Sequence, residues 1–187
     1  MTNISFMRLL EPVGAEEVQK CWIMHEARTR NGQIEDRVEA ILAGGDYAEA
    51  LFSFRGYYAR SIFKEIKEWR KVKIDLADIG RLEHVHCELD NLSKGTLRLE
   101  VAAENIVNNP GLADQKENPD SWRSARNILD NLEELAESGT PSIIGRDTRS
   151  ENVRLYDGFH RLVATLVYYR YRKLGTFVEK DAYYGSV

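Results

Sequence analysis

The stretch "RLYDGFHRLVATL", Arg154–Leu166, decides the fold, because an apolar segment becomes helical halfway along it. The residues "NVRLYDG" predict a short strand, and "FHRLVATLVYYRYRKLG" predicts a helix that ends at Gly175. Gly158 stands between the two and allows the backbone to turn sharply. The sequence therefore predicts a strand, a glycine turn and a helix in direct succession.

The polar residues of this junction have the chemistry of an anion site. The first N–H groups of a helix are unpaired, and the helix dipole favours a negative charge beside them. Arg161 adds a planar guanidinium that suits phosphate, and His160 can donate to a phosphate oxygen or move a proton. Asp157 repels phosphate, so we expect it to bind Mg²⁺ or to accept a proton from an attacking hydroxyl. The alternative to an anion site is that the junction is only a polar turn. In that case Asp157 caps the helix, and His160 and Arg161 are surface residues.

Outward from this junction, the N-terminal part of the chain is predicted to be mainly helical. Helical patterns cover about residues 15–43, and Asp46 is the expected N-cap of a long helix over 47–69. The alternating segments "VKIDL" and "TLRLEV" predict strands, and "NNPGLADQKENPDSWR" predicts a long loop. "SARNILDNLEELAESG" predicts a helix and "TPSIIGRD" a strand, whereas the tail "TFVEKDAYYGSV" has no clear pattern. These elements indicate an α+β or mixed α/β fold.

Bulk composition excludes several classes of protein. The 187 residues are 43% hydrophobic and 30% charged, as in globular domains, and no run approaches the length of a membrane span. A net charge of −4 argues against a surface that coats nucleic acid. The first residues show no signal-peptide pattern, and Cys21 and Cys87 form no C-x-x-C motif. We expect a cytoplasmic protein with reduced thiols and no membrane contact.

Two further clusters carry weaker signals. The segment "YYRYRK" places Arg170, Arg172 and Lys173 among tyrosines, a mixture that can bind nucleic acid. Its alternative is a solvated helix face with the tyrosine rings packed inward. If "HVHCEL" is extended, His84 and His86 lie on one face of the strand and Cys87 lies on the other. Zinc needs three or four convergent ligands, so these residues are only a weak candidate for a zinc site.

The segments "LDNLEELAESGTPSIIGRD" and "VRLYDGFHRLVATL" together resemble the ParB/sulfiredoxin-like superfamily. The matching pieces are a helix over 132–139, a strand over 141–146, and the segment 155–164 that contains the D-G-x-H-R turn. The loop "ENIVNNPGLAD" resembles the N-P loop before the family's first helix. The resemblance covers about residues 96–175. It implies an α+β fold with a small mixed sheet and helices over 96–187, preceded by a helical N-terminal extension over 1–95.

The resemblance also implies that Gly158, Phe159 and Arg161 bind phosphate. Family members include CTP-hydrolysing partition proteins, sulfinic-acid reductases, kinases and proposed nucleases. Sulfiredoxins have a cysteine where this chain has Phe159, and the D-G-x-H-R form is most similar to the kinase-type branch. In that branch an upstream glutamate is the base. Glu104 is the positional candidate, with Glu100 and Glu117 as rivals and a solvated loop residue as the alternative.

Three functions follow from the motif and the resemblance. The first is a nucleotide-dependent phosphotransferase or NTPase that uses ATP or CTP with Mg²⁺, with Asp157, His160 and Glu104 as catalytic residues. The second is a non-catalytic nucleotide-sensing or DNA-binding module, in which the basic residues 170, 172 and 173 contact nucleic acid. The third is a nuclease. The helical N-terminal half could cover the pocket, bind substrate or form a homo-oligomer interface.

Overall fold

The computed structural model describes residues 7–29, 43–85, 89–109, 111, 114, 119–146 and 152–187. Its centre is a six-stranded mixed sheet with the strand order β1-β2-β6-β4-β5-β3. The strands are β1 (Arg8–Val13), β2 (Glu68–Ile74), β3 (Glu83–His84), β4 (Ser142–Gly145), β5 (Arg154–Asp157) and β6 (Lys180–Ser186). The chain is therefore α+β, as the sequence predicts.

The pairing of the strands brings distant parts of the chain into one sheet. Strand β6 pairs antiparallel with β2 and parallel with β4, and β5 pairs antiparallel with β4 and parallel with β3. The sheet therefore takes strands from both sides of the expected boundary at residues 95 and 96. The C-terminal tail, which has no clear sequence pattern, supplies the strand between β2 and β4.

Helices cover the sheet in the described part of the chain. They are α1 (Ala15–Thr29), α2 (Tyr47–Arg55), α3 (Tyr57–Glu65), α4 (Leu76–Arg81), α5 (Leu99–Asn108), α6 (Pro119–Asp130), α7 (Leu132–Glu137) and α8 (Phe159–Thr165), which continues as a π-helix over Leu166–Tyr171. Within the described ranges, no helix combines the length and the apolar character needed to cross a membrane.

The long helix predicted over 47–69 is wrong in its extent. Asp46 does cap its start, because the carboxylate accepts from the backbone N–H of Glu49 at 3.1 Å. The helix ends at Gly56, whose φ of 62° interrupts helical geometry, and a second helix follows. The predicted C-terminal end lies in strand β2, which begins at Glu68.

The strand predicted for "TLRLEV" is also wrong, because Leu99 begins helix α5. The alternation of Leu97, Leu99 and Val101 fits a strand over a few residues only. Over a longer window, the buried positions 99, 102, 103 and 106 have the three-to-four-residue spacing of a helix. The other histidine and the cysteine of the weak zinc-site candidate, residues 86 and 87, lie outside the described residues. His84 itself is buried and its Nε2 lies 2.9 Å from the Ser93 hydroxyl.

Two hydrophobic clusters lie on opposite faces of the sheet. Neighbouring residues of one strand enter different clusters, as the two-residue period of a strand requires: Ile143 belongs to one and Ile144 to the other. The first cluster includes side chains from α1, α2 and α3, and the second includes side chains from α4 to α8. Strand β5, which ends at Asp157, is therefore buried on both faces and lies in the middle layer, between two layers of helices.

Candidate functional site

The predicted strand–turn–helix junction is confirmed. Strand β5 ends at Asp157, and helix α8 begins at Phe159. Gly158 between them has φ 108° and ψ 16°, a left-handed conformation that favours glycine. A Cβ atom at this position would collide with the Ser142 hydroxyl and would lie 3.0 Å from Arg161 Nη2. The turn therefore needs glycine for both its conformation and its close packing.

Asp157 is a buried carboxylate surrounded by donors. Its side chain is 4% exposed, and Oδ2 lies 3.0 Å from His25 Nδ1 and 3.0 Å from Arg161 Nη2. Oδ1 lies 3.5 Å from Arg55 Nη2. Burial alone would raise the pKa of this carboxyl, but the hydrogen bond from His25 and the charges of Arg161 and Arg55 lower the pKa well below its ordinary value. Asp157 is therefore ionised, and it does not cap the helix as a surface residue would.

Arg161 is a buried cation, not a surface residue. Its side chain is 8% exposed. It donates to Asp157 and to the carbonyl oxygen of Pro141 at 3.4 Å, and Nη1 contacts His25 Nε2. Since a guanidinium can only donate, Arg161 Nη1 contacts His25 Nε2 as its acceptor, while His25 Nδ1 faces Asp157 Oδ2, so the three side chains form a closed ring of contacts. Within the part of the chain that the structure describes, the buried Arg161 Nε has no hydrogen-bond partner.

A second ion pair extends this ring toward the N-terminal helices. Arg55 Nε donates to Glu26 Oε1 at 2.5 Å, and Glu26 is 2% exposed. Trp22 Nε1 donates to the same oxygen at 3.3 Å. Arg55 thus lies between two buried carboxylates, those of Glu26 and Asp157. We name the set His25, Glu26, Arg55, Asp157 and Arg161 the buried charge network.

Sequence reasoning found two of these five residues and missed His25, Glu26 and Arg55. The missed residues lie about a hundred positions or more from the D-G-F-H-R turn, so no local motif contains them. The sequence signal that could have indicated these three residues was weak. The acidic Glu26 follows four positions after Trp22, on a helix that also buries the apolar residues Val18 and Ile23.

The charge network borders an open cleft of about 1160 Å³. The wall residues come from α1, α2, α6 and α7, from the segment between α7 and β4, from the end of β5 and the start of α8, and from Leu89 after β3. They are His25, Arg55, Leu89, Asp120, Arg123, Ser124, Asn127, Glu134, Leu135, Ser138, Thr140, Asp157, Gly158, Phe159, His160 and Arg161. His160 Nε2 lies 3.1 Å from Ser124 Oγ. The ring of Phe159 is buried and makes edge contacts with His84 and His160.

The structure thus brings Asp157, Gly158, Phe159, His160 and Arg161 together in one cleft. Glu104 is not among the described residues that line it. It is exposed on α5. Burial is the main cause that raises the pKa of Tyr171, and the charge of Glu104 adds a minor contribution. The rival candidates also lie elsewhere: Glu100 pairs with Arg170 at 2.6 Å, and residue 117 is outside the described residues.

The three basic residues of the "YYRYRK" segment lie at the other end of the last helix. With a rise of about 1.5 Å per residue, the twelve positions from His160 to Arg172 span about 18 Å. Arg172 and Lys173 are exposed, and Arg170 is 40% exposed in its ion pair with Glu100. This segment is therefore separate from the cleft.

An Mg²⁺ ion does not fit at Asp157 in this arrangement. Ligand atoms of His25, Glu26 and Asp157 lie within 4.8 Å of one another. However, the guanidinium of Arg55 contacts both carboxylates, and Arg161 contacts Asp157. A cation would have to displace these two positive groups, and like charges repel strongly at such distances in a buried site. The Asp157 carboxylate instead holds the cationic side chains of Arg55 and Arg161 in position.

Comparison with protein-family models, with curated proteins and with solved structures finds no match to this chain. The resemblance to the ParB/sulfiredoxin-like superfamily therefore stays a prediction.

Proposed function

We propose that the cleft binds a nucleotide through its phosphates, and that the protein is a nucleotide-dependent phosphotransferase or NTPase that uses ATP or CTP. One observation carries the proposal. Two guanidinium groups, those of Arg55 and Arg161, are fixed by buried carboxylates at the wall of an open cleft, beside a glycine turn that begins a helix. Guanidinium groups preoriented in this way suit phosphate, since their geometry matches its oxygens and little side-chain entropy is lost on binding.

The cleft also has the size and lining that a nucleotide needs. Ligand pockets commonly measure about 300–1,000 Å³, and this open cleft of about 1160 Å³ lies just above that range. Leu89, Leu135 and Phe159 supply apolar surface for a base. Ser124 and Thr140 supply hydroxyl groups for polar contacts.

Phosphoryl transfer needs charge neutralisation and a group that moves a proton. In our proposal Arg161 and the exposed Arg123 neutralise the phosphates. His160 moves the proton, and Ser124 orients its ring through the contact at Nε2. Asp157 is a positioning residue, because it acts through Arg161 and His25. Since Glu104 is not among the described residues lining the cleft, we assign it no part in this step.

A nucleotide-sensing module without turnover is the second candidate. The observation that favours it is that the carboxylates of the buried charge network are already paired within the protein. Both oxygens of Asp157 and one of Glu26 contact protein cations. Such a network can hold phosphate in place while its own two carboxylates are engaged with protein cations. In the DNA-binding form of this candidate, Arg172 and Lys173 contact nucleic acid at the other end of the helix.

Calorimetric titration with ATP and with CTP, each with and without Mg²⁺, tests binding, and a phosphate-release assay then tests turnover. The informative variant is His160→Gln, which keeps a polar side chain but removes the titratable ring. An enzyme keeps nucleotide affinity in this variant and loses turnover. A sensor shows binding and no release of phosphate in either protein. A folded wild type that binds neither nucleotide contradicts both candidates.

A further inference from the structure

A second, smaller cavity of about 270 Å³ lies at the opposite end of strand β5 from the cleft. The cleft adjoins Asp157 at the end of this strand, whereas the cavity adjoins Asn152 and Val153 just before its start. At about 3.3 Å per residue, four positions of strand place the two sites about 13 Å apart. No described residue lines both of them.

Positive charge predominates in this cavity. Its lining includes the guanidinium groups of Arg81, Arg98 and Arg146, against the carboxylates of Asp78 and Glu83. Both carboxylates already accept hydrogen bonds within the protein. Asp78 Oδ2 accepts from the backbone N–H of Asp75 at 3.1 Å, and Glu83 Oε1 accepts from the Asn152 amide at 2.6 Å.

Two of the three guanidinium groups are incompletely paired. The Nε of Arg146 is buried, and no hydrogen-bond partner for it is found among the described residues, which is unfavourable for a charged donor. Arg98 Nη2 lies 3.7 Å from Glu100 Oε2, beyond hydrogen-bond distance, and the other oxygen of Glu100 is paired with Arg170 at 2.6 Å. An oxyanion in the cavity would accept hydrogen bonds from both groups and neutralise the surplus charge.

We propose that this cavity binds a small phosphate-bearing anion, either inorganic phosphate or the phosphate of a phosphomonoester, through Arg98 and Arg146. The cavity has less than a quarter of the volume of the cleft, which suits a phosphate group or a small phosphate ester. Guanidinium groups bind phosphate with two parallel hydrogen bonds each, which explains why arginine and not lysine lines the site. This proposal does not depend on the function proposed for the cleft.

Calorimetric titration of the full chain with inorganic phosphate at low ionic strength tests the site. Arg98→Ala removes an exposed side chain that makes no helix cap, so the fold is expected to persist. Because a charge-assisted hydrogen bond is lost, phosphate affinity falls about tenfold or more. Arg60→Ala, at an exposed arginine that lines neither site, is the matched control and leaves phosphate affinity within about twofold, whereas Arg123→Ala reports phosphate bound in the cleft.

Two results would overturn the proposal: wild type that binds no phosphate at millimolar concentration, or binding that Arg123→Ala reduces and Arg98→Ala does not. Arg146→Lys provides a second, independent variant because it keeps the charge and the stem of the side chain. It weakens binding through loss of the guanidinium fork, and unchanged affinity in this variant would also contradict the site. Parallel titration with glycerol 3-phosphate separates the two sources of phosphate, since a site for the ester binds it more tightly.

Discussion

Substitution of Asp157 by asparagine is expected to destabilise the fold strongly. The carboxylate is 4% exposed and balances Arg161, whose side chain is 8% exposed. The asparagine keeps a similar shape but carries no charge, and its amide group faces donors. The buried guanidinium of Arg161 then remains without a counter-ion in a site of low polarity, which is the costly outcome when one partner of a buried ion pair is removed.

The magnitude follows from the burial of both partners. Breaking a buried ion pair by removing one member costs about 3–5 kcal/mol of unfolding free energy. For a chain of 150–250 residues, each kcal/mol lowers Tm by about 2–4 °C, so Asp157→Asn lowers Tm by about 6–20 °C. Asp181→Asn is the matched control. Its carboxylate is 52% exposed and pairs with Lys73 at 2.7 Å, and such surface pairs contribute about 1 kcal/mol or less.

The same carboxylate gives a pH dependence with a defined sign. Its pKa in the folded protein lies below the ordinary value near 3.8 that applies to the unfolded chain. The unfolded state therefore binds the proton first, and the stabilisation is complete above about pH 4 and is lost as the pH falls below it. Wild type and Asp157→Asn should consequently approach each other in stability on going from pH 7 to pH 3.

Urea unfolding followed by circular dichroism, at pH 7 and at pH 3, measures these quantities for wild type and both variants. The reasoning about the buried charge network is refuted if Asp157→Asn and Asp181→Asn have the same unfolding free energy at pH 7. It is also refuted if the difference in unfolding free energy between wild type and Asp157→Asn is larger at pH 3 than at pH 7.

Two further substitutions test the turn and the second ion pair by thermal unfolding. Gly158→Ala forces a side chain into a left-handed conformation against a neighbouring hydroxyl, so it destabilises by about 1–3 kcal/mol. Gly139→Ala, where an added Cβ meets open space, changes stability little, and equal effects of the two would contradict the role of the turn. Glu26→Gln weakens the buried bond to Arg55 and lowers stability by about 1.5–3 kcal/mol. Glu49→Gln, in an exposed pair, is its control, and an effect of Glu26→Gln no larger than that of Glu49→Gln would remove Glu26 from the network.

Local signals predicted the strand–turn–helix junction because the determining residues are adjacent in sequence. A glycine with positive φ, a short apolar strand and a helical period all lie within Arg154–Leu166. The pairing of Asp157 with Arg161 is local too, since these residues are four positions apart. For this reason the core of the candidate site was accessible from the sequence alone.

The rest of the charge network depends on the topology of the sheet. His25 reaches Asp157 only because α1 packs on the face of the sheet that contains Ile143 and Tyr156. That packing requires β6, whose tyrosine-rich sequence gives no clear alternation because both of its faces are buried. A single sequence contains no local pattern that specifies such pairings between distant segments.

The central claim is that a nucleotide binds in the cleft beside the D-G-F-H-R turn. The most direct test is an NMR titration of ¹⁵N-labelled wild type with ATP and with CTP, together with Arg123→Ala, whose side chain is 70% exposed and therefore dispensable for the fold. We predict shifts that concentrate on the backbone amides of Gly158 to Arg161, and an affinity that Arg123→Ala lowers about tenfold through the loss of a charged contact. Saturable shifts that leave this turn unchanged and concentrate on Arg170 to Lys173, or no shifts with either nucleotide, would contradict the account.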